Sequence, residues 1–481
     1  MSRFSATFQW SFAVVFRRAH QSASDERPSV FMTALVDPLT VPLNANPLEA
    51  PFDPIHSHEP GFVSNVAGNW SLKPGCAPAA QGCPQYFSSL SYVPTPIPGP
   101  TSSPAEVANY ISLIQKWAYA SHVLQSNEGP SFVSHQYAIA GQSGGLTDSS
   151  ITPDGMTENP FPSPTPPSVG PPLSDQAAIG GGSCATSTGA QNTNMNTPYP
   201  GNQGAQQLVP TCNEYPTIFD ILAGTQPRPA GDIWQYIAVS TKIIWSGPMA
   251  VTHLYNQYIS GNPPKAQQPF AADPNAYNFV TNLENDPTPN PVLWPIPNPT
   301  RPFASLTYIT PCVAESDHPN FSTYSDGPQW LAYVLNAIGA SPYWQNTAVI
   351  VTWDDWGGFY DGYRAPGGQS QWPFHPKGNA YNNPQDPNEW GIRVPLIVIS
   401  PYVAQRGYIS TTQRSQGAIL NFIESVFSLP QHALNGDDAA NGADDLGDMF
   451  NFASPLPWQP LPTTFPTPAP GQYPPTICPH S

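Results

Sequence analysis

Two adjacent acids, Asp354 and Asp355, offer the most chemistry in this chain. They follow Thr347 to Thr352, a β-branched and apolar run that reads as a buried strand. Gly357 and Gly358 come next and let the chain turn sharply. In open α/β sheets, sites gather beyond the carboxyl ends of strands. Side-by-side carboxylates repel each other, so a positive charge should sit between or beside them. A divalent cation answers that need, because hard cations take oxygen ligands. A turn with solvated or capping acids would use the same two residues, and their spacing alone leaves both readings open.

Three other stretches hold candidate groups. Gly129-Pro130 fixes a turn directly before Ser131, with His135 and Gln136 one helical turn later. By residue type Ser131 is one serine among many. His56 and His58 lie beside Asp53 in a proline-rich loop. The run Leu306 to Thr310 reads as a strand and leads to Glu315-Ser316-Asp317-His318-Pro319. An acid next to a histidine past a strand end suits a metal or phosphate site, and equally a capping turn.

The wording of these stretches resembles a bacterial phosphoesterase family that includes secreted phospholipases C and secreted acid phosphatases. The resemblance runs from about Val41 to Phe452. It is carried by Trp353-Asp354-Asp355-Trp356-Gly357-Gly358-Phe359-Tyr360-Asp361-Gly362, by Arg393 to Pro401, by Gly417 to Glu424 and by Asp444-Asp445-Leu446. One departure is Gly362, where many members have His after the preceding Asp. The resemblance implies an alkaline-phosphatase-like α/β fold with a mostly parallel central sheet and helices on both faces. It also implies that Ser131, in Gly-Pro-Ser, is the nucleophile. Asp354, Asp355 and the Ser131 oxygen would hold one divalent cation of unspecified identity. His56 and His318 would bind the phosphoryl group or assist the leaving alcohol, with His58, His135 and Asp317 as further phosphate or substrate contacts.

The family also opens with a strand ending in a Glu-Asn pair that ligates the metal. Here Phe12 to Phe16 is followed by Arg17-Arg18-Ala19-His20, and the nearest acids are Asp25 and Glu26. Hard cations want about six oxygens, so two lost ligands predict weak metal binding and weak or no activity. The reading is a wrong start or frame-shifted stretch over residues 1–40, joined near Val41 to family sequence. If the N-terminus is genuine, His20, Asp25 and Glu26 are the first replacement ligands.

Composition narrows the class. With 481 residues the chain suits one large α/β domain or two ordinary ones. Its 64 prolines and 10% charged residues predict long ordered loops. A net charge of −17 argues against nucleic acid as a partner. No apolar run approaches the roughly 20 residues of a membrane span. Six cysteines without a CxxC pair suit disulfides in a secreted or periplasmic protein better than zinc. Cys76 with Cys83 is the expected local pair, and Cys184 and Cys212 would pin a Gly/Pro/Ser-rich insertion at about 143–210.

The elements that must position these groups can be read coarsely. Ser103-Pro104-Ala105-Glu106 opens a helix with a capping box, and Tyr110, Ile114 and Trp117 form its core stripe. A second helix starts at Asp326 and should end at Gly339. A third covers Ser415 to Ser428, apolar at Ile419, Leu420, Ile423 and Phe427. His253 reads as structural. Strand and helix alternate, which predicts a parallel sheet covered on both faces. Residues 41–453 form the domain, and residues 454–481 a proline-rich tail that drapes on the surface or stays loose.

The functional expectation is a metal-dependent hydrolase of a phosphate-ester small molecule or a phospholipid head group. It would use a phosphoryl-enzyme intermediate, with no nucleic acid and no stable membrane insertion. The alternative is a catalytically impaired secreted binding or scaffold protein of the same fold.

Overall fold

The computed structural model describes residues 11–17, 44–45, 91–92, 108–127, 131–144, 184, 191–194, 207–210, 212–224, 234–238, 247–259, 279–282, 305–310, 326–340, 344–355, 390–391, 393–440, 444–453 and 455–461. Eight strands form the central sheet: β1 Ser11–Arg17, β2 Ala118–Ala120, β3 Trp234–Ala238, β4 Phe279–Asn282, β5 Leu306–Thr310, β6 Thr347–Trp353, β7 Leu396–Ile399 and β8 Ile409–Ser410. Their order is β8-β2-β7-β6-β1-β5-β3-β4. Only β7 runs against its neighbours β6 and β2; every other pairing in the sheet is parallel. The expected mostly parallel α/β sheet is therefore present. A buried apolar run such as Leu-Ile-Val-Ile reads the same in either direction, so nothing in it announced the reversal of β7.

β6 forms because it is all β-branched or apolar, and it is buried at every position. Removing side chains such as Val349, Ile350 and Val351 from water contributes about 1.5–3 kcal/mol each. β1 lies between β5 and β6, so the Phe12 to Phe16 run is a central strand, as its apolar pattern suggested.

The main helices are α1 Ala108–Lys116, α2 Ser131–Ala140, α3 Ile218–Ala223, α4 Asp326–Ala340, α5 Ala418–Phe427 and α6 Asp437–Ala440. Register shows which face each covers. Tyr308 and Ile350 both lie opposite Val14, so they share a face. Tyr308 donates to the Ala138 carbonyl of α2 at 3.0 Å and meets Phe219 of α3 edge-on at 5.5 Å. Trp353 stands three residues past Ile350, hence on the opposite face. There it meets Tyr110 of α1 at 5.1 Å. Helices thus cover both faces.

One reading of the C-terminal half needs correction and another is narrowed. Gly339 does not end its helix, which runs on to Ala340. A Cβ at Gly339 would meet the Trp458 ring at 2.1 Å, so the glycine is there for close approach. The tail is not loose at its start either. Trp458 stacks on Trp117 at 5.6 Å and meets Trp344 edge-on at 5.1 Å. Asn336 clasps Leu461 with both halves of its amide, at 2.9 and 2.8 Å. Arg406 sits 4.8 Å over Trp117 and donates to the Pro457 carbonyl at 2.7 Å. Proline-rich composition favours extended chain, but the half-buried Trp458 and the buried Leu461 decide where that chain lies.

The third expected helix keeps its whole apolar pattern but starts at Ala418 instead of Ser415, because Arg414–Ser415 pairs in parallel with Val123–Leu124. Cys184 and Cys212 are joined by a disulfide across 28 residues. In a chain-entropy account, such a loop is worth about 3–4 kcal/mol. Cys76, Cys83, Cys312 and Cys478 lie outside the described residues, as do the Ser103–Glu106 capping box and most of the insertion.

Candidate active site

Asp354 and Asp355 emerge at the carboxyl end of β6, and both are buried. Ser131 is the first residue of α2, which is buried on nearly every side. The fold brings them together: Ser131 Oγ donates to Asp355 Oδ2 at 3.0 Å. His135 stands one turn on, so it shares the Ser131 face of the helix. Its Nε2 lies 3.5 Å from Asp354 Oδ2. Ser131, His135, Asp354 and Asp355 therefore form one buried cluster, although 224 residues separate Ser131 from Asp355.

The cluster sits at the amino end of α2, where helix dipole and open N–H groups favour an anion. Two carboxylates and a hydroxyl are hard oxygen donors, so these residues fit a divalent cation in type. Arg17, the last residue of β1, lies opposite Trp353, so the carboxyl ends of β1 and β6 are neighbours. The sequence after β1 supplies Arg18, Ala19 and His20, and not the Glu-Asn pair that the resemblance implied there. His56, His58, Asp317 and His318 lie outside the described residues.

A buried polar layer braces the cluster. Gln125 and Asn127 both donate to Ser134 Oγ, at 3.2 and 3.1 Å. Gln136 donates to the Phe132 carbonyl and accepts from Tyr215 at 2.7 Å. Gln416 donates to the Trp353 carbonyl at 2.6 Å and accepts from the Ser126 N–H at 3.1 Å. Asp437 accepts from Trp390, Ser415 and the Gly417 N–H. Burial pushes the Asp437 carboxyl up to about 6, against these hydrogen bonds. Burial also pushes the Tyr236 phenol up to about 12, so it stays protonated, and its oxygen accepts from the Gly247 N–H.

The turn Gly247–Ala250 packs against α2, and a Cβ on Gly247 would meet the His135 carbonyl at 2.4 Å. The Cys184 N–H donates to the Met249 carbonyl at 3.0 Å. The disulfide end of the insertion is thereby tied to the wall of the site. His253 bridges Glu214 at 2.6 Å and Asp220 at 3.1 Å. The Asp220 hydrogen bond is the main force raising its pKa, and this pairing gives it a structural role.

A second group of metal-ligand type is formed by Glu424, His432 and Asp438, whose ligand atoms lie within 4.8 Å of one another. It lies beside Gly141, past the far end of α2, since Asp437 N–H donates to the Gly141 carbonyl. A helix of ten residues is about 15 Å long, so this group is remote from Ser131. Glu424 accepts the N–H groups of His432 and Ala433, and Asp438 those of Leu434 and Gly436. The two carboxylates fold the loop between α5 and α6. Burial first, and then Asp438, raise the Glu424 carboxyl.

Sequence reasoning missed the bracing residues Gln125, Asn127, Ser134, Gln416 and Asp437. The sequence reading put Gln416 inside the third helix and gave no sign of its partners.

The Phosphoesterase family model matches residues 254–430, a span that contains Asp354 and Asp355 but not Ser131. The chain is similar to a non-hemolytic phospholipase C of Pseudomonas aeruginosa, 29% identical over 180 residues, covering 33% of this chain and 25% of that protein. A non-specific phospholipase C6 of Arabidopsis thaliana is 29% identical over 151 residues, 28% of each chain. Phospholipase C A of Mycobacterium tuberculosis is 28% identical over 160 residues, 31% of this chain and 30% of that one. The matches thus span about a quarter to a third of those relatives. Among solved structures, an alkaline phosphatase superfamily protein from Vibrio parahaemolyticus aligns over 90% of this chain and 71% of its own. Its identity is 11% and its TM-score 0.34, too low to carry an argument. The similarity to phosphoesterases read from the motifs is matched across the segment that holds the paired acids.

Proposed function

We propose that this chain hydrolyses phosphoric esters, with Ser131 as nucleophile. The observation that carries the reading is the 3.0 Å hydrogen bond from Ser131 to Asp355 at the amino end of α2. Asp354, Asp355 and the Ser131 oxygen would hold the divalent cation. When bound, the cation lowers the pKa of the serine hydroxyl and offsets charge on the phosphoryl oxygens. Asp355 Oδ2 orients the hydroxyl and is the nearest acceptor for its proton. Ser131 Oγ attacks phosphorus in line, and the bond from phosphorus to the leaving alcohol breaks. Water then cleaves the phosphoserine and frees phosphate or a phosphate monoester. The amino end of α2 supplies N–H groups to the anion. His135 beside Asp354 would hold that carboxylate in place or meet the phosphoryl group. His56 and His318 would bind phosphate or protonate the leaving oxygen, with His58 and Asp317 nearby.

Phosphatidylcholine and small phosphomonoesters are the two substrate classes. The relatives' names favour a phospholipid, and the insertion at about 143–210, whose Cys184 is hydrogen-bonded to Met249, would decide between the two. The Cys184–Cys212 disulfide supports export to an oxidising compartment. Among the described residues no helix is long and apolar enough to cross a membrane. The test is a hydrolysis screen of p-nitrophenyl phosphate and phosphatidylcholine vesicles, with and without a chelator. Release that stops on chelation and in Ser131→Ala supports the proposal. No release with any divalent cation supports the inert scaffold of the same fold.

A further inference from the structure

The structure assigns Gln416 a positioning role: its amide locks the strand end that carries Asp354 and Asp355 to the loop that leads into Ser131. This rests on the reading above, that those residues form the site. The nucleophile and the paired acids belong to different elements, α2 and β6. Something must therefore fix the distance between them. Gln416 is buried and sits directly before Gly417, the residue that caps α5. Its backbone is held at both ends. Its N–H donates to the Leu124 carbonyl at 3.1 Å, and its carbonyl accepts from Ile419 at 2.9 Å.

From that fixed base the side chain spans the gap. Nε2 donates to the Trp353 carbonyl at 2.6 Å, one peptide before Asp354. Oε1 accepts from the Ser126 N–H at 3.1 Å, five residues before Ser131. Only this amide orientation satisfies both contacts, because the flipped one sets oxygen against carbonyl and N–H against N–H. The residue type is demanded by the same argument. Glutamate offers no donor to Trp353, asparagine is one methylene short, and methionine has neither polar atom. The segment reached by Oε1 is itself tied to α2, since Asn127 and Gln125 donate to Ser134. The path from Trp353 to α2 thus runs through buried hydrogen bonds to Ser126 and from its chain neighbours Gln125 and Asn127 to Ser134.

Misplacing a reacting group by about 1 Å costs on the order of a hundredfold in rate, so a brace of this kind acts on kcat rather than on substrate binding. The test compares Gln416→Met, which keeps the bulk and removes both bonds, with Gln416→Glu, which keeps the acceptor alone. Four quantities are measured in the full chain: kcat and KM for p-nitrophenyl phosphate, thermal midpoint, and amide hydrogen exchange. Both variants should lose at least about tenfold in kcat with KM within about twofold. Exchange should quicken at least about tenfold at Ser126 and at Asp354–Asp355 in the Met variant, with α4 unchanged. In the Glu variant it should quicken at Asp354–Asp355 but not at Ser126.

Near wild-type kcat in both variants overturns the inference. So does exchange that quickens evenly through the chain, since that is a fold effect. If wild-type protein hydrolyses nothing, the functional reading fails, and the exchange pattern alone decides whether Gln416 is the brace.

Discussion

Ser131 and Asp355 meet at 3.0 Å, and the consequence of removing either oxygen differs. Ser131→Ala deletes the attacking atom and one hydrogen bond. Turnover should fall by about a thousandfold or more. The thermal midpoint should stay close to wild type, since one such bond is worth about 1–3 kcal/mol and the freed carboxylate can take water or a cation. Steady-state kinetics and calorimetry read both. Retained turnover in the alanine variant would remove Ser131 from the mechanism. Asp355→Asn keeps the shape but lowers the negative charge, so bound divalent metal should drop, as measured by elemental analysis after dialysis. Unchanged metal content in Asp354→Asn and Asp355→Asn alike would remove both acids from the cation site. At this scale the residues themselves pointed to Asp354-Asp355, whereas Ser131 stood out only through the resemblance. It was silent on Gln416 and Asp437, because a buried glutamine or aspartate is defined by partners far along the chain.

Two elements carry testable energetics. Helix α4 accepts Gly339 because Trp458 rests on it. Gly339→Ala should cost about 1–3 kcal/mol by overpacking. In a Trp458→Ala background the same change should turn neutral or stabilising by up to about 1 kcal/mol, because alanine is the better helix former. A double-mutant cycle in denaturant measures the sign reversal. The start of α6, where the Asp437 carboxylate accepts from Gly417 at the cap of α5, gives a pH signature. Asp437 keeps its proton up to about 6 in the folded chain, above the ordinary aspartate value, because it is buried. Between roughly pH 4 and 6 the native state therefore binds more protons than the unfolded one, and this group's contribution to stability falls as pH rises. Asp220 and Asp448 are shifted the other way, so their stabilisation is lost only below about pH 4. Melting scans across that window should show a downward slope, shared with the raised Glu424 carboxyl, that becomes shallower in Asp437→Asn. An equal slope in the variant would contradict the assignment. Helix and strand periods made these elements visible in the sequence, but Gly339 misled because a glycine near a helix end usually means a stop, whereas here it means a neighbour.

For the molecule as a whole, the sheet places the ends of β1 and β6 together, and the first residue of α2 meets Asp355 just past β6, which is why a site can form at all. The parallel order was legible from alternating strands and helices. The reversal of β7 and the docking of Trp458 were not, since both depend on which surfaces meet. The central claim is that Ser131 carries the phosphoryl group during turnover. Its direct measurement is acid-quenched mass spectrometry of the full chain mixed with p-nitrophenyl phosphate and a divalent cation. The expected result is one phosphoryl group on the peptide containing Ser131, appearing within the first turnover and missing from Ser131→Ala. Hydrolysis with no label on that peptide, or with the label on another residue, would contradict it.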